Sequence, residues 1–200
     1  MRFLGTDFFS RDVLAVARDL VGVELVWRGS SGVIVETEAY AVAGDAACHT
    51  AHRPSAREFV KHMPPGAAYV YFNYGMYWLF NLHVKGGPRD GLILIRALEP
   101  ARGIELMKFR RKKQRLDELC SGPGKLALAL DIHGEHHGTP MAGRGRPAGC
   151  GLRMTDRFSE SDVVSDIRVG ISQAVDFKWR FLVKGSPHVS VKFGKVKMAG

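Results

Sequence analysis

Apolar residues recur at helical spacing in a few stretches of this chain and as alternating or continuous runs in more of them, which predicts a fold of both helices and strands. Val13, Leu14, Ala17, Leu20 and Val21 mark one helical face, with Ser10 as N-cap, Asp12 in the first turn and Gly22 as the stop. VELVWR and VIVETEAY follow as a β-hairpin joined by Gly29-Ser30-Ser31-Gly32. If the second strand runs straight, Ile34, Glu36, Glu38 and Tyr40 share one face.

The stretch from Ala41 to Gly66 reads as a long irregular connection that carries function. AAYVYF pairs with MYWLFNLHV across Asn73-Tyr74-Gly75, and GLILIRAL is a further apolar strand. Pro100 then suits the first turn of a helix carrying Ile104, Leu106, Met107 and Phe109. LCSGPGKLALAL places a Gly-rich turn before a second apolar helix, residues 131–150 read as a loop, and DFKWRFLVK with HVSVKF reads as a closing hairpin.

Composition narrows the functional classes. The 200 residues are 46% hydrophobic and 24% charged, the balance of an ordinary globular domain, and no apolar run is long enough for a membrane span or a secretory signal. Three cysteines, Cys48, Cys120 and Cys150, lack zinc-site spacing and suit a reduced cytoplasm. A net charge of +9 makes a polyanion the expected partner, with nucleic acid ahead of an anionic membrane. The run FRRKKQR divides evenly between a solvated helix end and a phosphate-contacting patch. His133, Glu135, His136 and His137 sit in a glycine-rich loop without a scaffold, so no metal site is expected there.

Two carboxylates and a phenol stand in line at Glu36, Glu38 and Tyr40. A carboxylate beside a sugar anomeric carbon activates water and stabilises the positive charge that develops there; the plainer reading is ion pairing with basic neighbours. Tyr69, Tyr71, Tyr74, Tyr77 and Trp78 crowd one hairpin, with Tyr74 at its tip, where a large ring is exposed and able to wedge into a base stack. Extruding a nucleotide costs a few kcal/mol and aromatic stacking returns roughly 1–3 kcal/mol per base, so a wedge and an aromatic pocket offset the cost. Arg96, inside an apolar strand, needs a partner: a carboxylate of the fold or a DNA phosphate. A non-catalytic module that stacks an exposed base is the alternative to an enzyme.

VETEAY, DAACH, PPGAAYVYFNYGMYWLFN, LIRALEP, CSGPGKL and RFLVKGSP together resemble the ordered motifs of the alkyladenine (3-methyladenine) DNA glycosylase family. The resemblance implies an α+β domain over residues 1–200: a curved antiparallel β-sheet, roll or open barrel, with peripheral helices and a protruding β-hairpin. It implies hydrolysis of the N-glycosidic bond of alkylated or deaminated purines (3-methyladenine, 7-methylguanine, hypoxanthine or ethenoadenine) without lyase activity, metal or organic cofactor. By the same resemblance Glu38 is the general base, with Arg96 supporting the catalytic water and the flipped phosphate. Tyr40, His49 and Tyr71 wall the base pocket, Asn81 disfavours guanine's exocyclic amine, and Tyr74 fills the gap in the duplex. Arg57 and Lys125 are the expected DNA contacts. The implied partner is damaged double-stranded DNA, bound by a monomer in the cytoplasm, at the nucleoid of a bacterium or in the nucleus of a eukaryote, with no membrane. The family's Ser-His pair is replaced by Cys48-His49, and Glu58 adds a negative charge beside Arg57. The account further requires Glu38 to border a cleft lined by the rings of Tyr40 and Tyr71.

Overall fold

The computed structural model describes residues 3–73 and 75–196. Its first helix, α1 (Val13–Asp19), is capped not by Ser10 but by Asp12, whose carboxylate accepts from the Leu14 and Ala15 amides. Such a cap contributes about 1 kcal/mol. Ser10 instead bonds back to the Thr6 carbonyl of a preceding 3-10 turn.

The first hairpin, β1 (Glu24–Trp27) and β2 (Ser30–Ala41), turns on two residues rather than four. Arg28 and Gly29 both take positive φ, which fits a tight hairpin turn, and Trp27 pairs directly with Ser30. Gly32 belongs to the strand, paired with Leu25, and a Cβ there would meet Leu98 and the Glu99 carbonyl at 2.9 Å.

The connection expected to be irregular contains α2 (His49–His52) and α3 (Pro54–His62), the latter opened by Pro54 and burying Ala56 and Phe59. The second hairpin is as expected, with β3 (Ala68–Asn73) against β4 (Tyr77–Val84), and Tyr74 at its tip lies outside the described residues. Strand β5 (Gly91–Arg102) runs through Pro100, which is therefore not helical. Beyond Leu94 β5 has no β4 partner, so a missing N–H there costs no ladder bond. Gly103 caps α4 (Ile104–Arg111), followed by α5 (Leu116–Leu119) and α6 (Pro123–Leu130).

Strands β6 (Cys150–Arg153) and β7 (Val163–Asp166) were not legible in the pattern. The closing hairpin does not form: β8 (Arg180–Val183) pairs with β7 and β2, whereas the Ser190 amide and the Val191 carbonyl bond to Glu36 and Arg180.

The eight strands form one open antiparallel sheet, ordered β3-β4-β5-β2-β1-β6, with β8 beside the second half of β2. One face packs under α1, where Thr37 donates to the Ala17 carbonyl, and forms the core with Ala39, Ile93, Ile95 and Phe80. The other face carries the polar residues. No described helix is long and apolar enough to cross a membrane.

Candidate active site

Strand β2 does not run straight. Register shifts at Ile34/Glu36 and Glu36/Thr37 bury Ile34 and Val35 together in the core and turn Glu36, Glu38 and Tyr40 to the opposite face. On β5, Arg96 falls opposite the second shift, between Ala97, paired with Glu36, and Ile95, paired with Thr37. The bulge thus aims Arg96 at both acids. From Glu38 outward the ladder is regular, so Tyr69, Asn81, Leu94, Glu38 and Arg180 form a lateral row across five strands on one face.

Above this row is a cavity of about 480 Å³, lined by Tyr40, His49, Tyr69, Tyr71, Asn81, Leu92, Leu94 and Arg96. Residues 46–47, 52–53 and 169–173 with Asn73, Leu79 and Pro123 complete the lining. The size falls within the roughly 300–1,000 Å³ of small-ligand pockets. Glu38 has no exposed surface and does not line the cavity, but Tyr40, Arg96 and Val169, which hold it, all do. It therefore lies directly beneath the floor, not in a sealed core.

The carboxylate of Glu38 is held on three sides. Oε2 accepts from the Tyr40 hydroxyl at 2.7 Å and Arg96 Nη1 at 3.1 Å, and Oε1 accepts from the Val169 amide at 2.6 Å. A carboxylate has about four acceptor sites, so among the described residues one remains unfilled, on Oε1. Burial raises the Tyr40 pKa, and the Glu38 charge raises it further, so the phenol remains a donor. Burial opposes the charge on Arg96, but Glu38 and Glu36 more than offset this and its pKa is raised.

Glu36 has a different setting. Its Oε1 accepts from Arg180 at 2.8 Å, Arg96 Nε at 3.1 Å and the Ser190 hydroxyl at 2.8 Å, and Oε2 accepts from the Ser190 amide at 2.5 Å. It ties Arg96, Arg180 and the C-terminal segment together and makes no contact with the cavity. Within the fold Arg96 is held by these two carboxylates and the Ser190 hydroxyl.

The His49 ring packs edge-on against Tyr71, with centroids 4.3 Å apart, and its Nδ1 lies 3.2 Å from the Tyr69 hydroxyl. Burial, then the charges of Arg53 and His52, lower its pKa to about 4, so it is neutral at pH 7. Asn81 is buried in the wall, its amide nitrogen donating to the Tyr69 carbonyl at 3.1 Å. On the same hairpin Phe72, Met76 and Tyr77 are 47%, 63% and 51% exposed, a projection next to the cavity residue Asn73.

The two expected DNA contacts are less closely tied to the site. Arg57 is exposed but donates to the Thr50 carbonyl at 2.9 Å and does not line the cavity; Arg53, one turn earlier, does, with its guanidinium 5.4 Å from the Tyr71 ring. Lys125 is exposed on the first turn of α6, beside the cavity residue Pro123. That helix end approaches the hairpin so closely that a Cβ at Gly124 would meet Tyr77 at 2.8 Å.

Of the basic run, Arg110, Lys113 and Arg115 pair with Asp131, Glu118 and Asp117, and Arg111 bonds to the Leu119 carbonyl. This favours the solvated helix end over a phosphate patch. Glu58 pairs with His62, and the Cys48 thiol is buried against Thr50 rather than in the cavity. His136 packs on Trp27 while His137 Nδ1 lies 2.9 Å from the Val70 carbonyl, and among the described residues no group of three metal-binding side chains comes together.

Sequence reasoning missed the wall at residues 167–174. Arg168 there is fully buried in a bidentate pair with Asp45, at 2.6 and 2.9 Å. A lone arginine between Ile167 and Val169 was the only signal.

The model of the methylpurine-DNA glycosylase family matches residues 7–187. The chain belongs to that family. It is accordingly a DNA repair glycosylase, a hydrolase of base excision repair whose substrate is DNA. A relative in Rhodopseudomonas palustris strain HaA2, bearing the name 3-methyladenine DNA glycosylase, is 44% identical over 93% of this chain and 89% of its own. Relatives with the same name in Bradyrhizobium diazoefficiens and Rhizobium meliloti are 42% and 41% identical, each over 94% of this chain and over 90% and 96% of their own.

Proposed function

We propose that this glycosylase releases alkylated and deaminated purines, 3-methyladenine among them, by direct hydrolysis of the N-glycosidic bond with Glu38 as general base. One observation carries the reading: Glu38 lies under an aromatic cavity, fixed by three donors that line it, with one acceptor site free. Tyr40 and Tyr71 offer π-faces to an extruded base, and neutral His49 is available to it as a hydrogen-bond partner. Asn81, at the wall, crowds a purine bearing guanine's exocyclic amine. Tyr74 fills the vacated stack, a role resting on its place in the hairpin beside exposed Phe72 and Met76. Arg57 and Lys125 contact the DNA backbone.

In the reaction the C1′–N bond breaks with its electron pair going to the base. Water oxygen bonds to C1′ as Glu38 takes its proton, and the carboxylate stabilises the positive charge on the sugar. A methylated cationic purine leaves as a neutral molecule, whereas a neutral purine needs a proton. Arg96 holds Glu38 and offers positive charge to the flipped phosphate. No lysine lines the cavity among the described residues, which supports hydrolysis without a lyase step. The protein acts as a cytoplasmic monomer, on nucleoid DNA in a bacterium, without membrane association.

The test is free-base release from duplexes carrying each lesion. The wild type is expected to release base, and Glu38→Gln to be slower by about 10²–10⁴, the usual worth of a general base. Equal rates for the two proteins would remove Glu38 from its role.

A further inference from the structure

Residues 169–173 line the cavity without belonging to any helix or strand, so no backbone ladder fixes them. Arg168 does so instead. Besides its fork on Asp45, Nη1 donates to the Ala39 carbonyl at 3.0 Å and Nη2 to the Ala174 carbonyl at 3.2 Å. Asp45 in turn accepts from the Ala41 and Ala47 amides, so the same pair secures the wall at Ala46 and Ala47. The guanidinium carbon lies 4.7 Å from the Tyr40 ring and 5.2 Å from that of Trp179. Tyr40 lines the cavity and Arg168 does not, so the cation backs the ring from the protein side. The very next amide, Val169, donates to Glu38 Oε1.

Stability alone is a poor reason for this arrangement. Apolar side chains of similar volume often replace a buried ion pair without loss, and Arg168 Nε finds no hydrogen-bond partner among the described residues. A catalytic base, by contrast, must be held within about 0.5 Å, and a displacement of about 1 Å can cost on the order of 100-fold in rate.

We propose that the Arg168–Asp45 pair is the positioning device of this site: it sets the Tyr40 ring from behind and holds the Val169 amide that orients Glu38. Arg168 touches neither the nucleotide nor Glu38 and acts through these two groups. The proposal rests on Glu38 being the general base.

The test replaces the pair together, Asp45→Leu with Arg168→Met, and separately makes Arg168→Lys, which keeps the charge but loses the fork. Single-turnover base release, duplex affinity and melting temperature are measured on the lesion that the wild type excises fastest. The double variant is expected to stay folded and to bind duplex within about threefold of wild type, but to release base about 10–100-fold more slowly. Arg168→Lys is expected to fall between, and it carries the test if the double variant does not fold. In a Glu38→Gln background the same replacement is expected to cost clearly less than in the wild type, because only its action through the Tyr40 ring remains. Folded variants within twofold of wild type, or an equal loss in both backgrounds, would overturn the positioning role. A wild type that released no base from any lesion would instead bring down the reading of Glu38, and this proposal with it.

Discussion

The floor and the side wall of the cavity are built in opposite ways. On the floor, Leu94, and Glu38 directly beneath it, are placed by strand register, each locked to its neighbours by ladder bonds. In the wall, residues 169–173 have no ladder and depend on one buried ion pair. Register places side chains through the backbone and tolerates change in any one of them. A wall hung from a single guanidinium does not. Position on the floor is therefore robust and position in the wall is concentrated in Arg168.

The largest expected effect sharpens this contrast from the strand that carries the floor. Glu36→Ala leaves Arg96 and Arg180 without their shared carboxylate, and stripping a buried charge of its partner costs about 3–5 kcal/mol. A drop in melting temperature of roughly 10 °C is expected by calorimetry. Glu38→Gln, of nearly the same size and hydrogen-bonding reach, is expected to change it by only a few degrees. Equal melting losses would mean that the two neighbouring acids share one structural task.

A smaller effect concerns Arg53, whose fixed charge lies at the wall near Tyr71. A like charge at a partly wet site costs on the order of 1 kcal/mol, so Arg53→Gln is expected to favour a cationic purine over a neutral one by about five- to tenfold. The check is the ratio of 7-methylguanine to hypoxanthine release. An unchanged ratio with uniformly weaker binding would make Arg53 a backbone contact instead. Smaller still, Lys125→Ala is expected to weaken duplex binding alike for all lesions and to lower the salt slope by about one.

The smallest effect is on acid stability. The folded His49 ring holds its proton less tightly than the unfolded one, whose pKa is 6.5, so between pH 6.5 and about 4 the unfolded chain binds more protons. Stability is level above that window and falls as pH drops through it. His49→Gln is expected to lose fewer degrees of melting temperature between pH 7.5 and 5 than wild type does, read from paired thermal scans.

What was legible in the sequence follows the same division. The hairpin carrying Tyr71, the strand carrying Arg96 and the alignment of Glu38 with Tyr40 are local patterns, and period-two spacing exposes them. The bulge that sends Val35 to the core and Glu36 to the site is not local, because it exists only in the pairing with β5. Pro100 misleads for the same reason, since a strand open on one side accepts it. Arg168 and Asp45 are 123 residues apart, and nothing in the short-range pattern of either announces the other.

The central claim is that the base enters the cavity and Glu38 then acts on the sugar. Stopped-flow fluorescence of a duplex bearing ethenoadenine, followed alongside free-base release, separates the two events in one experiment. Glu38→Gln is expected to give the wild-type fluorescence change on flipping and to release base at least about 100-fold more slowly. Base release at the wild-type rate after an unchanged flipping signal would contradict the account.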